Sequence, residues 1–114
     1  MTLTSVERRI LWSTVEDFVG LWEVVHLIAG GCPDVADEDR GRVARTTVES
    51  LLTRGWIQIW RRDGAWGQSE PLSSDAAIAA LVDAAHWSAP GDGAPNFLAA
   101  STRAGQALFV AAAE

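Results

Sequence analysis

Residues 46–62 of the chain read TTVESLLTRGWIQIWRR, and the spacing of the apolar residues changes at Gly55. Before this glycine, apolar side chains recur at the intervals of one helical face: Val48, Leu51 and Leu52. After it, apolar and polar side chains alternate as in a half-buried strand: Ile57, Gln58 and Ile59. Glycine suits a left-handed helix cap because it adopts positive φ without steric cost. The stretch therefore predicts a helix that turns at Gly55 directly into a β-strand.

The same periodicity predicts five helices along the chain, with a short extended link at residues 17–21. The expected helices are residues 5–16, 22–29, 37–54, 73–87 and 102–113. The first is expected to open on a capping box between Thr4 and Glu7, and the last on Thr102 as its cap. Residues 56–61 and 96–100 are expected to pair as the two strands of an antiparallel ribbon.

The helix at residues 73–87 falls inside the connection between these two strands, after a turn signal at Asp63-Gly64. Its predicted apolar face consists of Ile78, Leu81, Val82 and Ala85. Trp56 and Trp60 share with Gln58 the strand face opposite the core, so this helix offers them an intramolecular packing partner. The alternative is that these tryptophans contact another protein.

The chain has 114 residues, of which 48% are hydrophobic and 21% charged, so it should fold as a globular domain. No apolar run reaches the roughly 20 residues that span a bilayer. The first residues lack the basic and apolar regions of a signal peptide, so we expect a cytoplasmic protein that does not contact membranes. Cys32 is the only cysteine, which excludes an internal disulfide.

The net charge is −6, and all nine basic residues are arginine, a usage typical of GC-rich bacterial genomes. A protein that binds nucleic acid neutralises phosphates with Lys and Arg, so an acidic balance argues against that class. An acidic surface instead favours a basic protein as the partner.

The order of these elements resembles the winged-helix superfamily, which is common among bacterial transcription regulators. The segments that carry the resemblance are residues 21–25 (LWEVV), 48–57 (VESLLTRGWI) and 97–105 (FLAASTRAG). The resemblance implies an α+β fold: a single domain over residues 1–114, with a three-helix core and an antiparallel β-hairpin. The hairpin is the wing of this fold. In the present chain, a helix would be inserted between its two strands, and a further helix would follow at the carboxy-terminal end.

The resemblance also implies that the third helix would be the one placed in the DNA major groove. If the chain is such a regulator, we expect a homodimer through the first and last helices. The candidate nucleic-acid contacts are Arg42, Arg45 and Thr46 on that helix, and Arg61 and Arg62 in the ribbon. The alternative is a solvated helix face whose arginines pair with Glu38 and Glu49. The acidic run at residues 37–39 would repel phosphate at the start of this helix.

Three tryptophans are the candidate protein contacts: Trp56, Trp60 and Trp66. Tryptophan is enriched among the residues that dominate binding energy at interfaces. The two histidines, His26 and His86, have no spaced partners that form a catalytic or metal-binding set, and no cofactor site is indicated. We therefore expect a non-enzymatic protein-interaction module, for example an inhibitor or immunity-type partner of a basic protein. A DNA-binding transcriptional regulator is the alternative.

Overall fold

A computed structural model of the chain describes residues 3–63, 67–89 and 95–113. The helices in these ranges are α1 (Ser5–Glu16), α2 (Leu21–Gly31), α3 (Arg40–Thr53), α4 (Ser74–Val82) and α5 (Arg103–Ala113). The strands are β1 (Val19–Gly20), β2 (Ile57–Asp63), β3 (Ser69–Pro71) and β4 (Pro95–Ser101). Short 3₁₀ helices occupy Asp37–Asp39 and Ala84–Trp87. The α+β class predicted from the sequence is confirmed.

The strands form one antiparallel sheet in the order β1-β4-β2-β3. Strand β2 pairs with β4 from Ile57 opposite Ser101 to Asp63 opposite Pro95. The predicted pairing of residues 56–61 with 96–100 is therefore confirmed for residues 58–61, which lie opposite residues 97–100. Strands β1 and β3 were not predicted, because two and three residues are too few to show an alternating pattern.

Helices α1, α2 and α3 pack against one another and against one face of the sheet. Helix α5 packs on α1, and α4 packs on α3. The largest fully buried side chains come from the helices and from that sheet face: Ile10, Leu11, Leu21, Val24, Ile28, Val48, Leu51, Ile57, Ile59 and Leu81. In the described part of the chain, no helix is both long enough and apolar enough to span a membrane.

Helix α3 ends in a left-handed glycine cap that sends the chain into β2. Gly55 has φ +78°, the positive value that the sequence predicts. The Gly55 N–H donates to the Leu52 carbonyl (3.0 Å), and the Trp56 N–H donates to the Leu51 carbonyl (3.0 Å). These two bonds form a Schellman motif, which satisfies carbonyls that the helix end would otherwise leave unpaired. The predicted turn from helix to strand at Gly55 is confirmed.

The start of α5 is bonded to the same junction. The Thr102 hydroxyl donates to the Gly55 carbonyl (2.6 Å), and the Thr102 N–H donates to the Trp56 carbonyl (3.0 Å). The Gly105 N–H in turn donates to Thr102 Oγ1 (3.1 Å), so Thr102 caps α5 as predicted. Gly105 lies so close to the junction that a Cβ built on it would be 1.9 Å from the Trp56 oxygen. Only glycine fits this position without a shift of backbone.

The predicted capping box of α1 is also present, and it contacts the end of α3. The Thr4 N–H donates to Glu7 Oε1 (2.9 Å), and the Glu7 N–H donates to Thr4 Oγ1 (3.1 Å). Arg54 Nη1 lies 3.3 Å from Glu7 Oε2, the second oxygen of the same carboxylate. Glu7 is buried, so this contact links two helix termini at the edge of the core.

Two predictions about the inserted helix are wrong. Helix α4 ends at Val82 instead of continuing to Trp87, because the Asp83 side chain accepts the Ala85 N–H and starts a 3₁₀ turn. His86 and Trp87 then bond to the carbonyls of the last turn of α4. The buried face is also different: it consists of Ala77, Ala80 and Leu81, whereas Ile78 and Val82 are 39% and 68% exposed.

Substitution of the two glycines Gly105 and Gly41 by alanine should change stability in opposite directions. Gly105→Ala is expected to lower the free energy of unfolding by about 1–3 kcal/mol or more, since the new methyl group overlaps the Trp56 carbonyl. Gly41→Ala should raise it by up to about 1 kcal/mol, because a Cβ there meets nothing within 4 Å and alanine favours the helix. Urea denaturation measures both. Equal effects of the two substitutions would contradict the close approach at Gly105.

Candidate functional site

The face of the sheet that points away from the three-helix core carries its own group of side chains. In β2, Ile57 and Ile59 enter the core, and the alternate residues therefore lie on the other face. Antiparallel register aligns residues of neighbouring strands with them. We call this group the outer sheet face; it comprises Phe18, Gln58, Trp60, Arg62 and Leu98.

Trp60 lies at the middle of the outer sheet face. Its direct neighbours across the sheet are Leu98 on β4 and Pro71 on β3. The Phe18 ring meets it edge to face, with ring centroids 5.6 Å apart and planes at 87°. Leu98 is buried at 4% exposure, whereas Phe18 is 39% exposed and Trp60 is partly buried. The face therefore has a buried base beneath a partly exposed aromatic pair.

Arg62 extends the aromatic pair on one side. Its guanidinium carbon lies 6.0 Å from the centre of the Phe18 ring, at the outer limit of a cation–π contact. Its Nε donates to Ser69 Oγ on β3 (3.0 Å). The contact and the hydrogen bond orient the arginine along the sheet surface.

Trp56 and Trp60 are the predicted packing partners of the inserted helix α4. Of the two, only Trp56 contacts the core cluster, to which residues of α4 also belong. Trp56 is partly buried against the core cluster that includes Ala77 and Leu81, and the Arg54 guanidinium lies 5.1 Å from its ring centre. Trp60 is not part of that cluster and packs on Phe18. On α4, the predicted partners Ile78 and Val82 are 39% and 68% exposed, while Ala77, Ala80 and Leu81 belong to the core cluster. Trp66, the third candidate contact, lies outside the described residues.

Most of the candidate nucleic-acid residues have a polar partner within the protein. Arg42 pairs with Asp39 (3.4 Å), Arg61 with Asp63 (3.0 Å), and Arg62 with Ser69. The neighbouring Arg40 pairs with Asp37 (2.6 Å). Within the described residues, the ion pairs on this helix face are therefore with Asp37 and Asp39 of the acidic 3₁₀ turn and not with the expected Glu38 and Glu49. Arg45 and Thr46 are exposed on α3.

A groove of about 250 Å³ separates the start of α3 from α4 and the turn that follows it. Arg42 and Arg45 line one wall, and apolar side chains line the other: Leu81, Val82, Ala84 and Trp87. The two arginines thus face an apolar neighbour instead of a second basic surface. Basic residues that contact a nucleic-acid backbone usually belong to a larger positive patch.

His86, which lies three residues after Asp83, makes its contacts within the protein. His86 Nε2 lies 3.5 Å from Asp83 Oδ2, its Nδ1 lies 2.7 Å from the Ala80 carbonyl oxygen, and its ring stacks on Phe97. No group of three His, Cys, Asp or Glu side chains within residues 3–63, 67–89 and 95–113 could hold a metal ion. Cys32 is buried in the core cluster.

The sequence missed Phe18 as a member of the site. It lies between α1 and the two-residue strand β1, where no periodic pattern exists to assign its direction. Its position follows from the pairing of Gly20 with Leu98, which places the start of β1 beside β4. A large apolar residue within a stretch predicted as an extended link is the one signal that could have found it.

Comparisons with models of protein families, with curated protein sequences and with solved structures gave no match to this chain.

Alanine substitutions on the outer sheet face should distinguish the buried Leu98 from the more exposed Phe18 by their effect on stability. Leu98→Ala is expected to lower the free energy of unfolding by about 2–5 kcal/mol, as for other buried leucines. Phe18→Ala should cost less than Leu98→Ala, because 39% of Phe18 is already exposed. Denaturation monitored by circular dichroism measures both values. A larger loss for Phe18→Ala would mean that Phe18 has a structural role and not a surface one.

Proposed function

We propose that the chain is a winged-helix protein with a helix inserted in its wing, and that it acts as a non-catalytic protein-interaction module. The order of elements supports the first part: three packed helices lead into an antiparallel ribbon, and a strand after α1 pairs with the returning strand of that ribbon. The observation that carries the second part is the partly exposed Phe18–Trp60 pair on the outer sheet face.

This pair has the properties of an interface anchor. Large aromatic side chains supply much contact area with few rotatable bonds, and they dominate the binding energy of many interfaces. The Phe18 and Trp60 rings contact each other, and Trp60 lies opposite the buried Leu98. These contacts restrict both rings, so binding costs little further side-chain entropy. These features favour a preorganised contact surface.

The charge of the chain favours a basic partner. The net charge is −6, and two exposed carboxylates, Glu16 and Asp17, directly precede Phe18. Opposite charges at the rim of an interface raise the association rate, and their attraction weakens as the salt concentration increases. An inhibitor or immunity-type role toward a basic protein, such as a nuclease toxin, is consistent with these features.

The interaction proposal is tested by affinity capture from a lysate of the organism that encodes the chain. The immobilised protein is expected to retain a basic protein at low salt and to release it as the salt concentration rises. Trp60→Ala should weaken this binding by about 30-fold, the effect of losing about 2 kcal/mol at a central aromatic contact. Binding curves with the purified partner give the magnitude.

Trp12→Ala is the matched control, because Trp12 is an exposed tryptophan on α1 that does not belong to the outer sheet face. It should bind the partner as the unaltered chain does. A partner retained equally by Trp60→Ala would show that the contact lies elsewhere. Recovery of nucleic acid alone would contradict the interaction role.

A DNA-binding regulator is the second candidate, and the exposure of Arg45 and Thr46 on α3 favours it. The polar partners of Arg42, Arg61 and Arg62 argue against it, as does the acidic turn before α3. We therefore expect no shift of mixed-sequence duplex DNA in a gel at about 50 mM salt, where non-specific affinity is high. A shift that Arg45→Gln abolishes would favour the regulator instead.

A further inference from the structure

The side of α1 away from the core lines a cavity that the proposed function does not use. Its volume is about 530 Å³, within the range of small-molecule sites. Residues at helical spacing on α1 form one wall: Ser5, Arg8, Arg9 and Trp12. Leu3, Gly31 at the end of α2, and Phe109 on α5 complete the lining. Three separate helices therefore contribute to one site.

The charged side chains in the described lining of the cavity are positive, within an acidic protein. Its described lining includes Arg8 and Arg9 and no aspartate or glutamate, although the whole chain carries a net charge of −6. Neither arginine forms an ion pair within residues 3–63, 67–89 and 95–113. Ser5 begins α1, and the positive end of a helix dipole also favours an anion. A negatively charged group is the natural complement of this wall.

Arg9 is held with part of its hydrogen-bonding capacity unused. Its Nε is buried and has no hydrogen-bond partner in the described residues. A Cβ built on Gly31 would lie 2.6 Å from this nitrogen, so the absence of a side chain at Gly31 makes room for the guanidinium. Because Nε is closed to solvent, an anion in the cavity would accept hydrogen bonds from the terminal nitrogens of this guanidinium.

Two aromatic side chains also line the cavity. Trp12 is 41% exposed and Phe109 is partly buried, and both line the cavity beside the two arginines. Flat aromatic side chains favour a flat apolar ligand, because their faces and edges attract other rings. The arginine pair fixes where the charge of such a ligand would lie.

We propose that this cavity binds a small organic anion in which a carboxylate is attached to a flat aromatic body. Arg8 and Arg9 bind the carboxylate, and Trp12 and Phe109 contact the ring. This site is independent of the outer sheet face, since the two share no residue. Failure of one proposal therefore leaves the other standing.

Isothermal titration calorimetry with 2-naphthoate tests the site on the unaltered protein. We expect 2-naphthoate to bind with one site per chain and at least about tenfold more tightly than 2-naphthamide, which lacks the charge. Acetate, which lacks the ring, should bind at least about tenfold more weakly as well. Equal affinity for the amide would overturn the anion assignment, and equal affinity for acetate would overturn the aromatic one. Tighter binding of the flexible octanoate would also overturn the flat-ring class, and absence of naphthoate binding would overturn the site.

Variants locate the binding within the molecule. Arg9→Gln and Trp12→Ala should each weaken 2-naphthoate binding by about tenfold or more, the effect of losing a charge-assisted bond or an aromatic wall. Arg103→Gln is the matched control, since Arg103 is an exposed arginine at the start of α5 and does not line this cavity, and it should leave the affinity unchanged. Circular dichroism verifies that each variant is folded. Equal losses of affinity in Arg9→Gln and Arg103→Gln would show that only net charge matters, and they would overturn the proposal.

Discussion

The fold depends on the junction at which α3, β2 and α5 meet. The Schellman cap at Gly55 satisfies the last carbonyls of α3 and points the chain into the sheet. Thr102 then bonds to the carbonyls of both Gly55 and Trp56, and this fixes the start of α5 against the same turn. Two distant parts of the chain thus share one set of hydrogen bonds. A change in the direction of the chain at this point would move both the ribbon and the last helix.

The direction set at this junction decides which residues lie on each face of the sheet. Because side chains alternate along β2, the burial of Ile57 and Ile59 requires that Trp60 lies on the opposite face. Strand β1 brings Phe18 to the same face through its pairing with β4. The aromatic pair is therefore a consequence of the strand register, and the proposed partner site rests on it.

The sequence predicted the parts of the fold that depend on local patterns. The cap at Gly55, the capping box of Thr4 and Glu7, and the pairing of β2 with β4 all follow from residue spacing or known terminal motifs. The face of α4 could not be predicted in this way, because alanine and larger apolar residues occur all around it. Small alanines fit against α3 and β2 where Ile78 and Val82 remain outside.

The candidate sites were less predictable than the fold, because they combine residues from several elements. Trp60 was identified from its strand position, but its partner Phe18 comes from a segment without a pattern. The cavity between α1, α2 and α5 joins residues that are distant in sequence, such as Arg9, Gly31 and Phe109. Helix packing decides such contacts, and a single sequence gives little information on it.

Amide hydrogen exchange measured by NMR tests the role of the junction most directly. If α3, β2 and α5 depend on it, the Trp56 and Thr102 amides should exchange only through global unfolding, with the same protection free energy as the buried Ile59 amide. Exchange of Trp56 and Thr102 through local opening, while Ile59 stays protected, would contradict the account. The fold would then persist without this set of hydrogen bonds.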